Sequence, residues 1–200
     1  MLARDTRKEQ LTLELLDAID RRSDLSQRRL ASQLGVALGL ANSYLRRCIR
    51  KGYVKVSEAP ANRYLYYLTP TGFSEKARLT SRYLSISFDF YRQAGRSCNR
   101  IYENCVECGI RRLVLCGISD LAEIAVLRAI DFDIEIVGVF DRTEHKSEFL
   151  SKPVWDRWDE LPRFDGVVVT DVTTPLTTVS YLRSKLPSQR VLAPDMLRIE

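Results

Sequence analysis

Histidine, methionine and tryptophan are nearly missing from this 200-residue chain, which has one, two and two of them. The single histidine, His145, sits in the charged stretch Thr143-Glu144-His145-Lys146 and reads as a solvated side chain. No nucleophile or acid/base pair stands out at a recognisable spacing, so the sequence gives no reason to expect an enzyme. The cysteines are five, an odd number without framework spacing, and reduced thiols are the expectation. There is no run of roughly 18 apolar residues, as a membrane span requires. The opening Met1-Leu2-Ala3-Arg4-Asp5-Thr6-Arg7-Lys8 has no apolar core after its charges, unlike a secretory signal. A cytoplasmic protein without membrane contact is expected.

What the chain does have is charge divided by position. Residues 1–100 carry 19 Lys+Arg and 9 Asp+Glu, a net of +10, whereas residues 101–200 carry 12 and 17, a net of −5. A basic half followed by an acidic half fits a nucleic-acid-binding module joined to a module of another kind. Positive charge alone gives only sequence-independent attraction to phosphates. The shape of the basic half therefore decides the matter.

Leu13, Leu16, Ala18 and Ile19 recur at helical spacing within residues 9–22. Ser26 suits an N-cap, and a short helix over 27–34 follows, closed by Gly35. A third helix is expected over 37–51, with Leu38, Ala41, Leu45 and Ile49 inward. Its outward positions are Gly39, Asn42, Ser43, Arg46, Arg47 and Arg50. Asn and Arg are the side chains that read adenine and guanine edges or hold phosphates. Two β-rich runs around a turn at 57–62 then make a hairpin, with Lys55 and Arg63 on its flank or tip. Ser26, Arg28, Gly39, Asn42, Ser43, Arg46, Arg47, Arg50, Lys55 and Arg63 are the candidate DNA contacts. For Arg21, Arg22, Arg28 and Arg29 two readings stay open, phosphate clamps or a solvated helix surface. For Tyr64, Tyr66 and Tyr67 packing within the hairpin is the favoured reading over stacking on bases.

Gln27-Arg28-Arg29-Leu30-Ala31-Ser32-Gln33-Leu34-Gly35-Val36, then Leu45-Arg46-Arg47-Cys48-Ile49-Arg50-Lys51-Gly52-Tyr53-Val54, resembles a MarR-type winged helix-turn-helix regulator. So does the closing Tyr67-Leu68-Thr69-Pro70-Thr71-Gly72. More narrowly, Leu38-Gly39-Leu40-Ala41-Asn42-Ser43-Tyr44-Leu45 is similar to regulators encoded beside exopolysaccharide genes. The resemblance covers residues 8–90. It implies double-stranded DNA as partner and a homodimer formed by the region after the hairpin.

Thr69 and Pro70 suit the cap and first position of a long helix reaching about residue 108, with Gly95 its weak point. Leu79, Tyr83, Ile86 and Phe90 form an apolar stripe on it. Cys98, Cys105 and Cys108 fall near one another. Cys105-Val106-Glu107-Cys108 has a C-x-x-C form, but no fourth ligand is near. A metal or redox site and three small apolar side chains both remain open.

Beyond residue 110, strand and helix patterns alternate. Strands are expected over 111–117, 134–140, 166–171 and 190–193, with helices over 119–130 and 175–186 and a short helix over 155–161. That pattern makes a parallel sheet. Ligands of such sheets sit beyond the carboxyl ends of the strands. The candidate ligand residues are Gly117, Ile118, Ser119, Asp120, Asp141, Arg142, Thr170 and Asp171. Gly117-x-Ser119-x-x-Ala122 is a degraded dinucleotide fingerprint, with Ser119 in place of a glycine and Asp141 where an acid meets a ribose. Asp120, Asp171 and Asp195 can equally be caps of helices or turns. Leu115-Cys116-Gly117 with Leu121-Ala122-Glu123-Ile124-Ala125, Val137-Gly138-Val139-Phe140-Asp141 and Leu150-Ser151-Lys152-Pro153-Val154 resembles the N-terminal domain of sugar acyltransferases of polysaccharide pathways. That resemblance implies contact with a nucleotide sugar. The second fingerprint glycine is absent, and the β-helix that carries catalysis in those enzymes does not follow here.

The expected organisation is a winged helix-turn-helix over 1–68, a connecting and dimerising helix over 69–109, and a Rossmann-like α/β domain over 110–200. The expected function is regulation of transcription, of polysaccharide genes by the narrower resemblance. No cofactor is required, and a nucleotide sugar or nucleotide is the candidate effector. The competing reading is a winged-helix adaptor whose α/β domain is structural or binds protein.

Overall fold

Residues 2–59, 63–144 and 146–199 are described by the computed structural model, with the side chains of all but 2–5, 59 and 63. The chain divides into two compact units, residues 1–87 and 88–200.

The first unit opens with α1 (Leu2–Arg21), which starts before the expected residue 9. Then come α2 (Gln27–Gln33) and α3 (Leu38–Arg50). Ser26 caps α2, its Oγ accepting the Arg29 N–H at 3.2 Å. Strands β1 (Val54–Ala59) and β2 (Arg63–Leu68) pair antiparallel, Val54 opposite Leu68 and Ala59 opposite Arg63. Strand pairing thus takes Ser57, Glu58 and Ala59 from the expected turn, while Pro60, Ala61 and Asn62 lie outside the described residues. Leu15, Leu16, Ile19, Leu30, Leu45, Cys48, Val54, Tyr66 and Leu79 make one buried core. On α3 the buried residues are Ala41, Leu45 and Cys48. Leu38, expected inward, is 43% exposed, because it stands on the first turn, beyond the reach of the core. Cys48 takes the inward place one turn after Leu45.

Helix α4 (Pro70–Glu107) runs from the first unit into the second. Thr69 starts it, accepting the Gly72 N–H through its Oγ1 at 3.0 Å. The expected apolar stripe splits by burial. Leu79 is buried in the first core, and Phe90 packs against the second. Along the helix between them Tyr83, Leu84, Ile86 and Phe88 are exposed. Gly95 is explained by a close approach: a Cβ there would lie 2.8 Å from the Arg128 Nε. The guanidinium of Arg128 also covers the Tyr91 ring, 5.5 Å from its centroid.

The second unit is a six-stranded sheet in the order β5-β6-β4-β3-β7-β8. Its members are β3 (Arg112–Cys116), β4 (Glu135–Phe140), β5 (Glu148–Phe149), β6 (Lys152–Trp155), β7 (Gly166–Val169) and β8 (Val191–Leu192). All pairings are parallel except β5 with β6. Helices α5 (Asp120–Ala129) and α6 (Pro175–Lys185) connect β3 to β4 and β7 to β8. The expected short helix over 155–161 is replaced by β6 and a single 3₁₀ turn, Trp158–Glu160. Val154 and Trp155 pair with Val139 and Phe140 instead, which extends the sheet. One sheet face packs on α4 and α5 through Cys98, Tyr102, Leu121 and Ala125. The Tyr102 hydroxyl donates to the Ala125 carbonyl at 2.8 Å. The other face carries Phe140, with Trp158 edge-on at 5.3 Å and Tyr181 stacked at 6.0 Å.

Burial also settles the geometry of the thiols. Cys48, Cys98, Cys105 and Cys116 are buried and Cys108 is exposed. Among the described residues no cluster has the makings of a metal site. Burial pushes the Cys48, Cys98 and Cys105 thiols up to about 11, and Cys116 to about 12. The thiolate is the reactive form, so all four are slow nucleophiles. An Ellman titration of the native protein is expected to release one equivalent of chromophore rapidly, and the remainder only in denaturant. Rapid release of two or more would contradict this packing.

Candidate functional site

The first candidate surface is built on α3. Gly39, Ser43, Arg46, Arg47 and Arg50 are exposed on it, and Lys55 is exposed on β1. Most acids of this unit are engaged elsewhere. Lys76 bridges Asp17 and Asp20 at 2.8 and 2.7 Å, Arg82 meets Glu9 at 3.0 Å, and Arg78 meets Glu75 at 2.8 Å. Arg21 and Arg22, two of the arginines left open above, pair with Asp17 and Asp24. By contrast Arg28, Arg46, Arg47, Arg50 and Lys55 have no ion-pair partner among the described residues. Most carboxylates lie on α1 and α4, with Glu58 on β1 an exception, and Arg28, Arg46, Arg50 and Lys55 stand without an ion pair among the described residues. That separation produces the positive face a phosphate backbone requires.

The outward residues of α3 do not form one uniform surface. Arg46 borders a groove of about 250 Å³ between α3 and the hairpin, lined also by Gln27, Asn42, Leu45, Ile49, Val56, Tyr64 and Tyr66. Asn42, expected outward, is half-buried in this groove. It lies seven residues before Ile49, which is close to two helical turns, so the two share the edge facing the hairpin. Its Oδ1 is enclosed and has no hydrogen-bond partner among the described residues. Arg47 lies on the opposite edge, beside Glu9, Lys51 and Glu75. Ser26 spends its hydroxyl on the α2 cap, and the side chain of Arg63 lies outside the described residues. Tyr64, for which packing within the hairpin is the favoured reading from sequence, is 53% exposed and lines the groove beside Arg46.

The second candidate is a cleft of about 480 Å³ beyond the carboxyl ends of β3, β4 and β7. It lies where the strand order turns back on itself, at β3 between β4 and β7. Gly117, Ile118, Asp141, Arg142 and Asp171 line it, together with Cys116, Phe140, Glu144, Thr177 and Tyr181. Ser119, Asp120 and Thr170 do not. Ser119 turns to the backbone, donating to the Thr170 carbonyl at 2.6 Å and accepting the Leu121 and Ala122 N–H groups. Thr170 is fully buried and donates to the Gly117 carbonyl at 2.6 Å. Asp120 is exposed at the start of α5. His145 lies outside the described residues.

The two aspartates of the cleft work first for the fold. Asp141 Oδ2 accepts the Ile118 N–H at 2.7 Å, and Oδ1 accepts the Thr143 N–H and hydroxyl and the Glu144 N–H. Asp171 accepts the N–H groups of Thr173 and Thr174 and the hydroxyls of Thr174 and Thr178. Burial alone would raise both carboxyls, but these hydrogen bonds outweigh it and hold both below the ordinary value of 3.8. Each group therefore stabilises the fold above its unfolded value, and that contribution is lost as pH falls through the lower folded value. The urea midpoint is expected to hold steady from pH 7 to 5 and to fall below about pH 4. Asp171→Asn is expected to lower the midpoint at neutral pH and to flatten the acid decline. Parallel curves for wild type and variant would contradict the assignment.

Residues 8–55, which span the helices α2 and α3, match the family of winged helix-turn-helix DNA-binding domains. Among solved structures, the chain is similar to MepR, a transcription regulator of the Staphylococcus aureus multidrug efflux pump MepA. The identity is 22% over 43% of this chain and 63% of that one, with a TM-score of 0.37. It is also similar to Streptococcus pneumoniae FabT in complex with DNA, at 21% identity over 58% of this chain and 65% of that one, with a TM-score of 0.34. The chain thus spans less than two thirds of the length of either regulator. Human N-acetylserotonin methyltransferase in complex with SAM is similar at 13% identity, over 84% of this chain and 68% of that one, with a TM-score of 0.36. Comparison with curated proteins gave no match.

Proposed function

We propose that this protein is a dimeric, DNA-binding regulator of transcription whose α/β unit senses a small effector. The observation that carries the DNA-binding reading is the set of cations without ion pairs among the described residues, Arg46, Arg50 and Lys55, on α3 and β1 of a winged helix-turn-helix. In that reading α3 lies in the major groove. Arg46, with Asn42 once it swings out of its groove, contacts base edges, while Arg28, Arg47, Arg50, Lys55 and Arg63 hold phosphates. Target genes of polysaccharide synthesis follow from the resemblance at residues 38–45 and remain part of the proposal. Selection from a random duplex library with the full chain tests the reading. Enrichment of one motif supports it, and recovery of unselected sequence rejects it.

The exposed Tyr83, Leu84, Ile86 and Phe88 support dimerisation, since four large apolar side chains on one helical stretch are costly to leave in water. Sedimentation of the full chain at micromolar concentration is expected to show two chains. Ile86→Glu with Phe88→Glu is expected to give one. A wild-type monomer would reject this part.

For the α/β unit, the cleft at the strand ends supports a small-molecule effector. A nucleotide sugar is the first candidate, through the resemblance of this half to sugar acyltransferase domains. An effector alters DNA binding only if it binds two arrangements of the protein with different affinity, typically by about 1–3 kcal/mol.

A further inference from the structure

The backbone of the first βα loop of the second unit is already packed and hydrogen-bonded by its neighbours. Gly117 has φ +104°, and a Cβ on it would stand 2.6 Å from the Asp171 N and 2.7 Å from its Cα. In a dinucleotide fingerprint the first glycine makes the tight turn and the second lets a pyrophosphate approach the backbone. Here the loop after β7 packs on Gly117, and Ser119 stands at the second place with its hydroxyl tied to the Thr170 carbonyl. The Asp171 N–H donates to the Cys116 carbonyl at 2.9 Å, and Thr170 and Ser119 tie the same two loops together. The Ile118 N–H, a donor that a phosphate would use, already serves Asp141. The N-terminus of α5 is capped by Ser119.

The charge of the cleft leads the same way. Asp141, Asp171 and Glu144 line it with one guanidinium, that of Arg142, and Glu144 is paired with Lys146 at 3.5 Å, which leaves Asp141 and Asp171 as the carboxylates without a cation partner among the described residues. Arg142 lies over the Tyr181 ring, 4.7 Å from its centroid, without an acid partner among the described residues. The polar groups left unspent are hydroxyls. Thr173, Thr177 and Tyr181 line the cleft, and none of their hydroxyls has a hydrogen-bond partner among the described residues. Among the described residues Asp141 Oδ2 accepts one bond, and a carboxylate oxygen has room for a second.

We infer that the cleft recognises a neutral, hydroxyl-bearing ligand, a sugar or nucleoside moiety, and that a phosphate attached to it adds no affinity. The inference rests on the effector reading above and narrows it. A ligand hydroxyl both donates and accepts, so it can give its proton to Asp141 Oδ2 and accept from Thr177 or Tyr181. A phosphate only accepts, and it would meet two fixed carboxylates whose repulsion one mobile arginine does not cancel. The volume lies within the roughly 300–1,000 Å³ of ordinary small-ligand sites.

Calorimetry on the full chain with uridine, UDP, UDP-glucose, glucose and N-acetylglucosamine, at two salt concentrations, tests this. At least one neutral member is expected to bind. Its phosphate-bearing counterpart is expected to bind no tighter, and the gap is expected to shrink as salt screens the carboxylates. Thr177→Val, which removes one exposed hydroxyl and should leave the fold intact, is expected to weaken the neutral ligand by about fivefold. Tighter binding of the phosphate-bearing member would overturn the inference while leaving the effector reading in place. Neutral binding indifferent to both Thr177→Val and Arg142→Gln would overturn it by placing the ligand elsewhere. Absence of heat with every member would overturn the effector reading and the inference together.

Discussion

Arg46→Ala is expected to weaken binding to the selected duplex by about 1–3 kcal/mol and to relax the base preference at one position of the motif. The residue is exposed, free of acid partners among the described residues, and beside the hairpin groove. Asn42→Ala should weaken specific binding by a similar amount but do something more informative to the free protein. The enclosed Oδ1 of Asn42 has no partner among the described residues, and a buried unsatisfied acceptor costs about 1–3 kcal/mol. Removing it should leave the free protein as stable as wild type, or more so, while operator binding falls. A residue kept for packing would show the reverse, loss of stability with DNA affinity unchanged. Band shifts and urea titrations of the two variants decide between these outcomes. Wild-type affinity in both would place the reading surface off α3.

The other large effect is expected at Phe140. Its side chain is 1% exposed, packed against Trp158 and Tyr181 and under the cleft. Truncation of a buried Phe to Ala typically costs about 3–5 kcal/mol, from lost transfer energy and the cavity left behind. Phe140→Ala is therefore expected to lower the thermal midpoint strongly. Tyr181, which supports Arg142 over the cleft, loses its stacking partner at the same time. Any ligand response should weaken in the same variant. Phe140→Leu keeps most of the volume and should recover most of the stability. A loss under 1 kcal/mol for the alanine variant would contradict the packing of this sheet face.

The winged helix-turn-helix was legible because each of its elements has a local cause. Ser26 caps α2, Leu30, Ala31 and Leu45 carry the helical period, and the β-rich hairpin follows. The orientation of Asn42 was not legible, since it depends on the hairpin packing against α3, a non-local contact. The same holds for β6. Residues 155–161 carry a helix-like pattern, yet Val154 and Trp155 gain more by pairing with Val139 and Phe140. The acids at the strand ends were found by position alone. Sequence placed Asp141 and Asp171 at the cleft and offered Asp171 as a cap, but did not show that Asp141 serves Ile118 and Thr143 or that Asp171 serves Thr174 and Thr178. Nor did it show that Gly117 serves the approach of a neighbouring loop, because that requires knowing where Asp171 lies. Tyr64 carried no signal beyond its place in a β-rich run.

The most direct measurement is the affinity of the full chain for the selected duplex and for a scrambled duplex of equal length, across a salt series. A sequence reader with a phosphate-holding face should prefer the selected duplex by roughly 10³ or more. Both affinities should fall with salt, with each phosphate contact adding about 0.9 to the slope of log K against log salt. Equal affinity for the two duplexes at every salt concentration would contradict sequence reading by α3, and no binding to either would contradict the nucleic-acid interface itself.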